Sequence, residues 1–390
     1  MPIRYLDLQP QIQQYGHSAG DWQRSLQERL KVSLECFNTV AQDVTALNQS
    51  IQKVINQQGK NIRFALPGQE KITSSFSAGE IKAKCTLLAA DGSQINPDPH
   101  ESVLFGLLNV GIFKCNPGIS STPVEIVNTK LLDFDEVYST ENILDEDTIA
   151  LKRNLAEREL LAELAAQIQG EVVALTDGPL ELFHAPREGR AFQAQFNNYL
   201  QSLRKMGESG AITGGYVDKP RADLVIRMLE LAMISDPSRA GQDRPLAGIT
   251  DSQLFNEILE PGTRSAIFGI QSSSKKYYEG PLALHFFYLN VGQASHPWIA
   301  RIEIPAWVAQ DSVQVAQLQA ILLDQCRIMS NKPYPYALHR AHEIAVVTQL
   351  EKEQIMERIF KAMQNLNLNT GTQSHKLSAK QLPHRARIHL

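Results

Sequence analysis

The chain of 390 residues carries 38 Lys+Arg against 42 Asp+Glu, a net charge of −4, with 43% hydrophobic and 7% aromatic residues. Such a composition fills the core of two or three structural units and excludes a disordered or fibrous protein. No stretch approaches the roughly 18 apolar residues of a membrane span. Residues 1–10 carry Arg4 and Asp7 in place of an apolar signal core, so a cytoplasmic protein with no membrane partner is expected.

Residues 1–70 are expected to form a helical N-terminal arm. Glutamine-rich polar positions alternate there with Leu26, Leu30, Leu34, Phe37 and Val40, at the three-to-four spacing of an amphipathic helix. Docking of that stripe on the body and pairing with a second copy both satisfy it. The body, residues 71–370, opens with an apolar run at 85–90 that reads as a strand stopped by Asp91-Gly92-Ser93. Residues 103–114 and 123–134 read as two more strands, parted by Asn116-Pro117-Gly118, and a three-strand meander is the simplest joining. An acidic loop over 133–147 then feeds a helix at 148–169, and residues 171–176 form the next strand, closing on Asp177-Gly178-Pro179. Further helices are predicted at 190–206, 220–234, 251–260 and 311–330, strands at 282–290 and 298–304, and one long helix at 336–365. Strands, helix, strand, then mixed elements imply an α/β class with a central mixed sheet flanked by helices.

The average charge hides a gradient. Residues 1–357 hold 32 basic and 42 acidic groups, whereas Arg358, Lys361, Lys376, Lys380, Arg385 and Arg387 follow with no acid among them. A basic tail at 371–390 suits an anionic partner such as nucleic acid, although a solvated, flexible end explains the charge more simply. The cysteines Cys36, Cys85, Cys115 and Cys326 form no Cys-x-x-Cys pair and are read as reduced core residues.

Candidate chemistry gathers around three acids. Asp91 and Asp177 each follow a buried strand and precede a glycine. Asp-Gly is a common turn dipeptide, but carboxylates at strand ends also line the edge where α/β sheets collect ligands. On the helix between them, Glu157 shares the stripe of Leu161, Leu164, Ala165 and Ile168, whereas Glu159 and Glu163 project from the opposite face. An inward carboxylate needs a partner, either Arg153 one turn earlier or a bound cation. Three converging carboxylates are hard oxygen ligands for Mn²⁺ or Mg²⁺, and two such ions can activate water for phosphodiester hydrolysis. The order of acids and elements resembles the ribonuclease H-like nuclease fold. A fourth candidate, His342, aligns with Leu338, Ala345 and Val346 and is expected to face inward, as a metal ligand, a proton shuttle or a hydrogen-bonded core residue.

Basic and aromatic residues offer substrate contacts. Gly214 to Arg221 reads as a loop with exposed amides, Tyr216 and two cations, Lys219 and Arg221. Lys275 and Lys276 adjoin Tyr277 and Tyr278, whose rings could stack on bases. Trp298 and Trp307 are read as core or interface residues.

Five short motifs, in one order, resemble the NurA nuclease family: Ala90-Asp91-Gly92-Ser93, Leu175-Thr176-Asp177-Gly178-Pro179-Leu180, Gly215-Tyr216-Val217, the run from Trp298 to Pro305, and Tyr334-Pro335-Tyr336 through His342-Glu343. The likeness runs from about residue 85 to 348. It implies a ribonuclease H-like core and Mn²⁺-dependent cleavage of single- and double-stranded DNA, by 5′-to-3′ exonuclease and single-strand endonuclease action in end processing and repair. It also implies a homodimer and a HerA-like hexameric ATPase translocase as partner. By position, Asp91, Glu157, Asp177 and His342 would be the catalytic and metal-binding residues. Glu159 also fits the family's spacing, and the helical face selects Glu157. A protein that keeps the fold but only binds DNA or docks on the translocase is the alternative.

Overall fold

The structure, a computed structural model, describes residues 4–58, 62–81, 84–138, 144–182 and 190–368. The tail expected at 371–390 and part of the acidic loop lie outside the described residues. In chain order the elements are helices α1 (Tyr5–Val40) and α2 (Val44–Gln58), strands β1 (Phe64–Pro67), β2 (Ser75–Ser77), β3 (Cys85–Ile95), β4 (Leu107–Cys115) and β5 (Val124–Leu131), and helices α3 (Phe134–Val137) and α4 (Glu146–Gln167). Strand β6 (Glu171–Asp177), helix α5 (Arg190–Glu208), strand β7 (Ile212–Val217) and helices α6 (Leu224–Met233) and α7 (Asp251–Asn256) follow. The chain continues through β8 (Thr263–Ser265), β9 (Phe268–Gln271), β10 (Leu284–Asn290) and β11 (Ile299–Pro305) to helices α8 (Ala306–Ala309), α9 (Ser312–Ile328), α10 (Tyr336–Ala345) and α11 (Gln349–Asn365). The 11 strands belong to a mixed sheet flanked by helices. Two interleaved compact units share the chain, the first drawn from 1–82, 178–185 and 214–334, the second from 83–177, 186–213 and 335–390.

In the second unit, β3, β4 and β5 form the expected antiparallel meander, with Asp91 opposite Gly111 and Gly111 opposite Val127. Helix α4 then returns the chain so that β6 runs parallel to β3, in a register from Cys85↔Glu171 to Ala90↔Thr176. That is the ribonuclease H-like order. Leu87, Leu88, Ala89, Val173, Ala174 and Leu175 are buried along these two strands, since a parallel pair covered on both faces has no solvent side for polar residues. Helix α10 lies on β3 and β4 through buried Ala337, Leu338, Ala341 and Ala345. Its approach is close because Gly111 lacks a side chain: a Cβ there would stand 2.7 Å from the Ala341 oxygen.

In the first unit, β10 and β11 form a hairpin from Leu284↔Pro305 to Asn290↔Ile299. Its aromatic core includes Phe255 stacked on Tyr288, ring centres 4.7 Å apart, and Phe37 of α1 edge-on to Phe255. The C-terminal half of α1 and α2 thus dock on their own unit, with Leu47, Ile51 and Val54 also buried. Tyr5, Leu6, Ile12, Tyr15 and Trp22, in the N-terminal half, are exposed.

The sequence reading lacks the short strands β1, β2, β8 and β9, and β1 falls within the segment read as a helical arm. Three further elements differ from the sequence reading. Strand β3 does not stop at Asp91-Gly92 but continues to Ile95. Gly92 serves close approach there, not a turn: a Cβ on it would fall 2.5 Å from Glu157 Oε1 and 2.8 Å from Arg153 Cγ. The long helix at 336–365 is two helices. Thr348 caps the second, its hydroxyl accepting from the Glu351 N–H while the Glu351 carboxylate accepts from the Thr348 N–H, and this capping box restarts the helix after Val346-Val347. Residues 212–217, read in part as an exposed loop, are strand β7, with Gly214, Gly215 and Tyr216 buried. Gly215 is required by packing, since a Cβ would meet the Gly178 oxygen at 2.7 Å.

Candidate metal and catalytic centre

The paired register of β3 and β6 ends at Ala90↔Thr176, and the next residue on each strand is an aspartate. Asp91 and Asp177 therefore follow matched positions on adjacent parallel strands, where the two-residue pleat turns their side chains to one face. Gly178, with φ +79°, turns the chain immediately after Asp177. The Asp91 side chain is 17% exposed, and one of its oxygens accepts from the Gly92 N–H at 2.8 Å.

Helix α4 brings Glu157 to the same place. Residues 155, 157, 158, 161, 162 and 165 form its buried side, and Glu159 and Glu163 are exposed, as the helical spacing predicts. Glu157 is 5% exposed and reaches over Gly92. Its contacts are ionic and long: Arg153 Nε at 3.4 Å and Arg158 Nη1 at 3.7 Å. Arg153 Nε and Arg158 Nε and Nη1 have no hydrogen-bond partner among the described residues. Arg158 instead sets its guanidinium 5.7 Å from the Tyr199 ring centre. Burial pushes the Glu157 carboxyl up to about 7; Arg158 and Arg153 oppose that rise, and the charges of Asp91 and Asp177 add to it. Like charges facing one another in a poorly solvated corner cannot all stay ionised unless a cation joins them.

His342 corrects the inward expectation. Its side chain is 61% exposed, at the border of the α10 face that packs on the sheet. It nonetheless reaches the acidic group, with Nδ1 2.7 Å from Asp91 Oδ2. An ionised carboxylate only accepts, so Nδ1 carries the proton, and in the neutral ring Nε2 is left as the base. The helix holding it is pinned: the Ala345 carbonyl accepts from Asn109 Nδ2 at 2.8 Å and from the Ser93 hydroxyl, and Asn109 in turn accepts from Thr129. His339 lies near Glu343 instead, at 3.7 Å.

Among the described residues, no three His, Cys, Asp or Glu side chains stand together as a ready-made cation cage. Glu157 leans on two arginines and Asp91 on His342. The donor set itself is hard, rich in oxygen and mutually repulsive, which fits Mg²⁺ or Mn²⁺ better than a softer ion.

The model of the NurA domain matches residues 85–347, a span that contains all four candidate residues. The chain belongs to the NurA nuclease family. Among solved structures, the NurA nuclease from Sulfolobus solfataricus aligns with 84% of this chain and 97% of its own, at 13% identity and a TM-score of 0.48. Ciona intestinalis endonuclease V, in complex with a 23mer DNA, aligns with 80% of this chain and 97% of its own, at 11% identity and a TM-score of 0.33. The catalytic domain of human endonuclease V gives the same coverage at 12% identity and a TM-score of 0.31. No curated protein matches the chain. The NurA match begins at β3, so α1, α2, β1 and β2 lie outside it.

The expected DNA contacts fare unevenly. Tyr216 is fully buried in β7, its hydroxyl 4.0 Å from Cys326 Sγ and its ring edge-on to Tyr334, so it cannot touch a strand of DNA. Tyr278 is buried as well, with its hydroxyl accepting from the Leu182 N–H. Lys219, Arg221, Lys275 and Lys276 are exposed. The expected pairing of Glu157 with Arg153 at i−4 is present; sequence reasoning missed Arg158, which is adjacent in sequence and joins the site because α4 is buried on several sides.

No helix among the described residues is long and apolar enough to cross a membrane.

Proposed function

We propose that the protein is a divalent-metal-dependent DNA nuclease that hydrolyses phosphodiester bonds in end processing and repair. The observation that carries this reading is the placement of three acids: Asp91 and Asp177 follow the matched ends of the parallel strands β3 and β6, and the buried Glu157 reaches over Gly92 beside Asp91. Asp91, Glu157 and Asp177 would hold Mn²⁺, or Mg²⁺, which when bound supplies a Lewis acid for the phosphate oxygens and an activated water. Asp91 orients His342 through Nδ1, and the exposed Nε2 takes a proton from water or returns one to the leaving oxygen. Arg153 and Arg158 hold Glu157 by their ion pairs, and a bound cation would compete with them for its carboxylate.

The finer reading follows the family: 5′-to-3′ exonuclease and single-strand endonuclease action, a homodimer, a HerA-like hexameric ATPase as partner, and a cytoplasmic site of action. A second reading, a DNA-binding or translocase-docking protein without turnover, draws support from the pairing of Glu157 with arginines in place of a cation. Digestion of end-labelled single- and double-stranded DNA across divalent cations separates the two. Degradation with Mn²⁺ that stops with EDTA, and is abolished in Asp91→Ala with DNA binding largely kept, is the expected result. Unchanged cleavage by that variant rejects the site, and no cleavage by the wild type with any cation leaves the docking reading.

A further inference from the structure

The first unit carries a cleft of about 610 Å³ whose walls include Lys219, Arg221, Gln253, Glu257 and Trp298. That volume lies within the range of about 300–1,000 Å³ in which small-molecule-sized groups bind. Trp298 is half-buried and fixed at both ends. Its Nε1 donates to Asp218 Oδ1 at 2.7 Å, and Lys219 Nζ stands 4.3 Å from its ring centre. Lys219 adopts φ +42°, a left-handed conformation that disfavours a lysine, so the surrounding fold imposes this placement against local preference. Arg221 is exposed two residues further on, and Glu257 is the acidic side chain on the same wall. Trp298 also borders a second cavity of about 1150 Å³, beside His296 and Arg327. The indole thus borders two cavities, with the Lys219 ammonium over its ring and Arg221 on the wall of the first.

We infer that this cleft binds single-stranded nucleic acid, one base stacking on the Trp298 indole as the Lys219 ammonium, which lies over that ring, moves to a flanking phosphate and Arg221 engages another. An aromatic face accepts any base, and nearby cations engage the backbone, which is how strands are held without sequence preference. Bases within a duplex are already stacked on one another and cannot reach the ring, so the site discriminates against double strands. The inference rests on the nuclease reading for its biological sense and uses none of the residues of the acidic centre.

The test measures binding of a fluorescein-labelled oligothymidylate and a blunt duplex to the full chain in EDTA, where cleavage plays no part. Trp298→Ala should weaken single-strand binding by about fivefold to a hundredfold, with Trp298→Phe retaining most of the affinity. Arg221→Ala, a surface change that leaves the fold intact, should weaken it too and reduce the salt slope by about 1. Duplex binding should stay within about twofold in the Trp298 variants. Unchanged single-strand affinity in Trp298→Ala, equal losses in the Ala and Phe variants, or an equal loss with duplex overturns the inference. Wild-type protein that binds as expected but cleaves nothing with any cation overturns only the nuclease reading.

Discussion

Buried carboxylates occur in both units, and their surroundings differ in kind. In the first unit Glu303 accepts from the Leu180 and Glu181 N–H groups at 2.8 and 3.2 Å and from Arg301 at 2.8 Å. Asp251 accepts from the Val225 and Ile226 N–H groups, both at 2.9 Å, and from the Tyr288 hydroxyl at 2.7 Å. Glu230 accepts from the Leu246 N–H at 2.9 Å and from Arg244 and Arg227. In the second unit, among the described residues, Glu157 has ionic contacts at 3.4 and 3.7 Å with Arg153 Nε and Arg158 Nη1, two atoms that lack hydrogen-bond partners themselves. Buried charge is tolerated for structure when each oxygen is satisfied by a directed donor. A carboxylate left short of donors destabilises its fold, and such groups collect at functional sites.

The contrast can be broken by exchange of effects. Glu303→Ala should cost about 3–5 kcal/mol of stability, because it leaves Arg301 buried and uncompensated. Compared at about pH 5, where the folded Glu157 keeps its proton, Glu157→Gln should shift stability by less than about 1 kcal/mol, and it should remove cleavage. Denaturant unfolding of the two variants compares them directly, and a Glu157→Gln loss as large as that of Glu303→Ala would make Glu157 a structural group. Next in size, His342→Ala should lower kcat about 10²-fold and leave the unfolding midpoint in place, as an exposed proton carrier would. A matching fall in midpoint would mean the ring serves packing instead. Gly111→Ala should cost about 1–3 kcal/mol by pushing α10 off β4, with activity falling alongside because α10 carries His342. Stability lost with kcat unchanged would uncouple the helix from the site.

A last effect lies in pH. Glu157 rises from 4.5 to about 7 in the folded chain, so the folded state keeps a proton that the unfolded state has released. Its contribution is complete below 4.5 and is lost as pH rises through about 7. Asp251, raised from 3.8 to about 6 by burial, behaves likewise at lower pH. Metal-free protein should therefore lose stability between about pH 4 and 8, with Glu157→Gln flattening the upper part and leaving the Asp251 part. Melting curves in EDTA that coincide for both proteins at every pH would show that Glu157 does not titrate in that range.

Much of the second unit was legible because its signals are local. The meander, α4 and β6 follow from short apolar runs and turn residues, and the buried face of α4 follows from the spacing of its leucines and alanines. Glu157 was therefore found as an inward residue. Gly92 misled, since the same dipeptide that makes a turn after Asp177 makes a contact after Asp91, and only the arrival of α4 distinguishes them. His342 misled in the other direction: its helical phase places it near the packed face, but the width of that face depends on how closely α10 approaches Gly111. Tyr216 looked like an exposed ring because β7 pairs with β11, a strand more than 80 residues away in the chain.

The order of elements from β3 to β6, the family and the identities of the candidate acids were set by the sequence alone, since periodicity and short motifs depend on neighbours a few residues apart. Which of those acids share a corner, which glycines admit a helix, how Glu157 is held and where Trp298 faces were decided by tertiary structure. These properties depend on pairs of residues tens to hundreds of positions apart, whose distance no local pattern encodes.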